Sequence, residues 1–120
     1  MPSFRISRNL HNRYRKAADT GDAHSQFCLA FKIERGHGVE RDQARALQLY
    51  RSSAELGYAG AQWRLAVALE EGEIEPMGDE SAVSWYRKAA EQGYSLAQWK
   101  LGWCHEHGQL LEKDEQQAVE

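Results

Sequence analysis

Cys104, His105 and His107 form the densest cluster of nucleophile, base and metal-ligand types in this 120-residue chain. On a helix, side chains two apart point about 200° apart, so His105 and His107 converge poorly on one ion. Helical metal pairs use a spacing of four instead. Cys104 beside His105 offers the types of a thiol nucleophile and its base, yet adjacent helical side chains do not face each other. Cys104 therefore reads as a half-buried thiol. Arg15, Arg51 and Arg87, with Lys16 and Lys88 beside them, are spaced like a ladder for phosphates. Each arginine has an acid four residues on (Asp19, Glu55, Glu91), a pattern of solvated ion pairs worth about a few tenths of a kcal/mol each. The residue types thus imply no catalytic group, no metal and no cofactor.

The arginine ladder belongs to a larger pattern. Displaced by 36 positions, the sequence aligns with itself without gaps, and nine columns carry one residue type in all three copies. They are the tyrosines 14, 50 and 86, the arginines above, Ala18/Ala54/Ala90, Gly21/Gly57/Gly93, Gln26/Gln62/Gln98, Leu29/Leu65/Leu101, Glu34/Glu70/Glu106, Gly36/Gly72/Gly108 and Ala46/Ala82/Ala118. A period of this length is the signature of a solenoid.

Each period holds two helices. The first, A, is expected over Ala23–Arg35, Ala59–Glu71 and Ser95–His107. The second, B, is expected over Gln43–Leu56 and Asp79–Gln92, with an earlier copy near Phe4–Thr20 and another starting at Glu115. Glycines close both helices in a left-handed turn. Asp42 and Asp114 precede B helices as N-caps, Gln117 pairing with Asp114. In the middle copy Gly78-Asp79 follows Pro76, which moves the expected cap by one residue, to Asp79. These spans describe one all-α solenoid: a B-type helix at about 4–20, repeats at about 22–57 and 58–93, and an incomplete one at 94–120.

The B helices carry one apolar stripe: Ala46, Leu49, Tyr50, Ser53 and Ala54, then Ala82, Trp85, Tyr86, Ala89 and Ala90. The A helices carry two. Leu29, Ala30 and Ile33, repeated as Leu65, Ala66 and Leu69, form a core face. A second stripe holds Phe27 and Phe31, Trp63 and Val67, and Trp99 and Trp103, extended one turn by Glu34, Glu70 and Glu106. That second stripe is either a wider core or the floor of a groove.

Composition narrows the function. The net charge of −3 supplies no general basic face for nucleic acid, and the aromatic stripe runs beside glutamates, which disfavours single strands as well. No apolar run reaches the roughly 20 residues of a membrane span. Met1–Ala18 is basic and acid-free, as organellar presequences are, but Tyr14–Ala18 already belong to the repeat. Cys28 and Cys104, about two repeats apart, are too distant for a disulfide, which points to reduced thiols and a cytoplasmic setting.

The segment WYRKAAEQGYSLAQWKLGWCHEHG, Trp85–Gly108, closely resembles the Sel-one-like repeat family, and so does Gly36–Ala66 with its GHGVERD loop and AQWRLA run. The resemblance spans about residues 8–120. Tetratricopeptide repeats are related but run at 34 residues and lack the Gly-x-Gly-Val-x-x-Asp connection. Only the first copy here has that connection in full; the others read Gly72-Glu73-Ile74 and Gly108-Gln109-Leu110, and looser loops are expected there. The resemblance implies a right-handed α/α superhelix acting as a protein-interaction adaptor, with the A helices lining its concave side. It places Phe27, Phe31, Trp63, Val67, Trp99 and Trp103 on a partner-binding wall edged by Glu34, Glu70 and Glu106, suited to a protein or peptide segment of basic character. The chain opens on a B helix and ends within another, so self-association through open solenoid ends is the alternative. Cysteine-rich relatives bind cell-wall fragments or act as slow β-lactamases, but they carry paired cysteines within each repeat, which this chain lacks.

Overall fold

The computed structural model describes residues 21–107, together with Lys16 and Asp19. Five helices run through the described residues: α1 (Ala23–Arg35), α2 (Gln43–Glu55), α3 (Ala59–Glu71), α4 (Ala82–Glu91) and α5 (Ser95–His107). Among these residues there is no strand. Each helix packs on its neighbours in sequence, α1 on α2, α2 on α3, α3 on α4 and α4 on α5. The three A-type helices, α1, α3 and α5, have the expected bounds. Of the B-type copy near Phe4–Thr20 only Lys16 and Asp19 are described, both helical; the start at Glu115 and the caps around Asp114 lie outside the described residues.

The helix ends follow from local chemistry. Asp22 accepts from His24 N at 3.2 Å and from Ser25 Oγ at 2.6 Å, satisfying a free N–H and a hydroxyl at the start of α1. That hydroxyl contact, foremost, holds the Asp22 carboxyl below its usual value. Asp42 caps α2, accepting from Arg45 N at 3.1 Å. At the far end of α2, Gly57 has φ +100°, a region that side chains with a Cβ avoid. Its turn lets Tyr58 N reach Ser53 O at 3.2 Å. Gly93 repeats the device, with Tyr94 N on Ala89 O at 3.1 Å.

α4 departs from expectation. It begins at Ala82, capped by Ser81, three residues beyond the expected start. Ser81 Oγ accepts from Ser84 N at 3.1 Å, and Ser81 N donates back to Ser84 Oγ at 3.4 Å, a capping box built from two serines. Asp79 remains in the preceding loop because Glu80 is anchored elsewhere. Its carboxylate takes the Arg51 guanidinium of α2, the Trp85 Nε1–H at 2.7 Å and the Met77 N–H at 3.2 Å. Arg51 also donates to Glu75 O at 3.1 Å. The solvated-face reading of Arg51 is therefore corrected: it clamps the loop between α3 and α4 onto α2, with 13% of its side chain exposed. The sequence offered Glu55, four residues on; the fold brought in Glu80, almost a full repeat away.

The core is a line of small and large residues running through the stack: Leu29, Ala30 and Ile33, then Ala46, Tyr50 and Ala54, then Leu65 and Ala66, then Trp85, Tyr86 and Ala89. The glutamine column ties successive layers together. Gln62 Nε2 donates to Ala54 O at 3.2 Å and Gln98 Nε2 to Ala90 O at 3.1 Å, each joining the amide of Gly57 or Gly93 on a carbonyl in the last turn of the preceding B helix.

Candidate functional site

The second stripe of the A helices divides into two rows. Phe27 stands edge-on to Tyr50 with ring centroids 5.5 Å apart and lies 5.0 Å from Tyr58. Trp63 repeats this against Tyr86 at 5.3 Å and Tyr94 at 6.0 Å. Rings at these separations and tilts attract beyond their buried area. Both residues therefore sit half-buried between layers. The close fit extends to the backbone of α3, where a Cβ on Gly60 would stand 3.2 Å from Tyr58 Cε2 and 3.4 Å from Phe27. Trp99, third in this row, is 63% exposed.

The other row is Phe31, Val67 and Trp103, one residue per A helix. Phe31 is 39% exposed, with the Arg35 guanidinium 4.6 Å from its ring centroid. Val67 is partly buried against the core. Trp103 stacks on His107 with ring centroids 4.1 Å apart, and Lys100 Nζ lies 5.0 Å from its ring centroid. This row is apolar surface which the core covers only in part.

The glutamates are joints within the stack. Tyr50 Oη donates to Glu34 Oε1 at 2.9 Å, and Arg64 of α3 reaches the same carboxylate through Nε at 3.1 Å and through a shorter Nη2 contact. One layer on, Tyr86 Oη donates to Glu70 Oε2 at 2.7 Å, and Lys100 of α5 lies 2.8 Å from Glu70 Oε1. Each glutamate thus ties its own helix to the following B helix and to the next A helix. Burial works against ionisation of Glu34, but the donors from Arg64 and Tyr50 outweigh it and hold the carboxyl below its ordinary value. Burial and the adjacent carboxylates push the Tyr50 and Tyr86 hydroxyls well up. Arg64 further binds Glu73 at 2.9 Å.

The tyrosine and glutamate columns were legible in the sequence, sixteen residues apart, but their pairing was not. The cation column escaped notice because it reads Cys28, Arg64, Lys100 and repeats a charge rather than a residue.

The Sel1 repeat model matches residues 23–58, 59–94 and 95–120. The chain belongs to the Sel1 repeat family. It is similar to c5321, a protective antigen of uropathogenic Escherichia coli strains displaying an SLR fold, at 39% identity and a TM-score of 0.71. A Sel1 repeat protein from Oxalobacter formigenes is 32% identical with a TM-score of 0.70. Each match covers 82% of this chain, but 21% of the antigen and 40% of the Oxalobacter protein, so the chain spans less than half the length of either. None of the curated proteins matches. Sel1 repeats are in general non-catalytic scaffolds that bind proteins.

In this Sel1 solenoid the cluster that opens as chemistry is dispersed by the helix. Cys104 is fully buried beside Val83 and Leu101, a correction to the half-buried position expected for it, because α4 packs over it. His105 and His107 are exposed, and His107 Nδ1 lies 2.8 Å from Trp103 O. Among the described residues no group of three or more His, Cys, Asp or Glu is placed to hold a metal ion, and no helix is long and apolar enough to cross a membrane. A contact not foreseen joins His24 to Cys28 Sγ at 3.5 Å and to Tyr58 Oη at 3.0 Å. Its signal was the four-residue spacing of His24 and Cys28.

Proposed function

We propose that this chain is a non-catalytic scaffold that holds a segment of another protein along the A-helix wall formed by α1, α3 and α5. The observation that supports it is the row Phe31, Val67 and Trp103, apolar positions at the same place in the three A-type helices that the core leaves partly open. Aromatic anchors of this kind supply most of the energy of protein interfaces. Phe27, Trp63 and Trp99 form the inner margin of the wall, and Glu34, Glu70 and Glu106 its edge. Glu34 and Glu70 already hold Arg64 and Lys100, so attraction for a basic segment falls chiefly to Glu106. Cys104, the thiol beside a histidine in sequence, is sealed from solvent.

The test is affinity capture with the intact chain, followed by a binding isotherm for the captured partner on Trp103→Ala. Loss of a central anchor lowers affinity roughly 30-fold, the effect of an interface hot spot. Unchanged affinity with helicity retained places the binding surface elsewhere.

A further inference from the structure

The connection between α1 and α2, the copy with the full Gly-x-Gly-Val-x-x-Asp pattern, is braced along its length. His37 N donates to Lys32 O at 3.0 Å and Asp42 N to Ile33 O at 3.3 Å. Val39 packs against the core, and Arg41 Cβ lies 3.5 Å from where a Cβ on Gly36 would stand. The loop thereby holds His37 and Arg41 beside the end of α1, facing α3. Between these elements lies an open groove of about 490 Å³. Every residue that lines it falls between positions 34 and 73, so the first two layers alone set its chemistry. Its two carboxylates are engaged by donors from within the fold. Glu34 is held by Tyr50 and Arg64, and Glu73 by Arg64 at 2.9 Å and Gln43 Nε2 at 3.4 Å. The other charges of the groove have no such partner. The Arg35 guanidinium lies over the Phe31 ring, and neither it nor Arg41 forms a salt bridge among the described residues. Arg35, His37 and Arg41 are all exposed. One repeat on, their positions read Glu71, Glu73 and Met77, so the basic character is particular to this layer.

We propose that this groove receives an acidic segment of a partner protein, its carboxylates on Arg35 and Arg41 and an apolar side chain against Phe31. The inference rests on the reading of this chain as a scaffold for a protein segment. It sets the charge of that segment where it crosses from α1 to α3: acidic, although the glutamate column taken alone pointed to a basic one. Guanidinium forks pair with carboxylates in a fixed geometry, and a loop already braced lowers the ordering cost of binding. The shape favours an extended segment over a small anion, because the groove is open rather than enclosed. The lining favours it too. A small anion filling the groove would meet the carboxylates of Glu34 and Glu73, whereas a segment can pass over them from Arg35 to Arg41.

Fluorescence anisotropy of labelled Glu- and Asp-rich peptides that carry one Leu, titrated with the full chain, tests it. The net charge of −3 repels such peptides overall, so their binding requires a local basic site. They should bind at low salt, weaken as salt rises, and lose roughly tenfold in affinity with Arg35→Glu or Arg41→Glu. Gln- and Asn-rich counterparts of the same length should not bind. Lys88→Glu, which reverses an exposed cation on α4, should leave the affinity unchanged. All three substitutions fall at exposed positions, and circular dichroism checks that each variant keeps its helix content. Absence of binding by the acidic peptides, equal binding by the neutral ones, or equal losses in all three variants overturns the proposal. So does displacement of the peptide by inorganic phosphate beyond that by chloride at the same ionic strength, which would mark a small-anion site. Trp103→Ala separates this inference from the wall on which Trp103 stands. Binding that falls with Trp103→Ala and not with the arginine reversals keeps the wall and removes the groove; the reverse pattern keeps the groove and removes the rest of the wall.

Discussion

At Glu34 a single carboxylate joins three helices, because Tyr50 and Arg64 arrive from α2 and α3. Glu80 plays a comparable part for the loop before α4, its carboxyl also held low by Arg51 and Trp85 against the effect of burial. Both native values lie below the ordinary one, so the stability they contribute is complete above the range of an unfolded glutamate, about pH 4–5. It is lost as the pH falls through the lower native values. Denaturant unfolding between neutral pH and pH 3 should show a declining free energy, and a Glu34→Gln, Glu80→Gln double variant a flatter decline. The tyrosines work in the opposite sense. Their raised values give stability that is whole below about pH 10 and fades as pH rises beyond it. Arg51→Ala, which leaves the Glu80 carboxylate mostly enclosed, should cost about 2 kcal/mol, between the values for exposed and buried pairs. Chemical denaturation would measure it directly.

Among the elements, α4 and α3 give contrasting tests. Ser81 caps α4 while Asp79 sits outside it. Ser81→Ala should therefore lose about 1 kcal/mol, and Asp79→Ala should stay within roughly 0.5 kcal/mol of the parent; thermal melts of both variants separate the two caps. In α3, Leu65 is fully buried at the junction with its neighbours. Leu65→Ala removes that packing and leaves a cavity, a loss of roughly 2–5 kcal/mol, larger than that expected for Arg51→Ala in the same assay. The bounds of α1, α3 and α5 could be read from the chain because their periodic stripes begin and end at short-range signals: Asp22, Gly36 and Gly72. The start of α4 could not, since it depends on how Glu80 is held by a residue 29 positions earlier.

As a whole the molecule is a rod, with principal extents of 57 × 25 × 25 Å and a Cα radius of gyration of 16.0 Å. A compact chain of this length would have about 13–14 Å. Because each helix packs chiefly on its sequence neighbours, with Glu34–Arg64 and Glu70–Lys100 bridging successive A helices, stability is a sum of local layers and their interfaces. The inner layers bury both faces, whereas α5 buries only Ala97 and Cys104. Amide hydrogen exchange should consequently be slowest in α2 and α3 and fastest in α5; uniform protection along the stack would contradict a layered fold. The sequence by itself determined the period, the helix-and-turn alternation and the core columns, because these rest on spacing, on glycines at left-handed turns and on stripes that reappear every 36 residues. Only the tertiary structure decided which columns meet. The second A-helix stripe had two readings in the sequence, and contact with Tyr50, Tyr58, Tyr86 and Tyr94 assigned Phe27 and Trp63 to the space between layers while leaving Phe31 partly in solvent. The ion pairs of Arg51 with Glu80, Arg64 with Glu34 and Lys100 with Glu70 lay equally out of reach of spacing rules, because these partners stand 29 or 30 residues apart and are chosen by the stacking of layers.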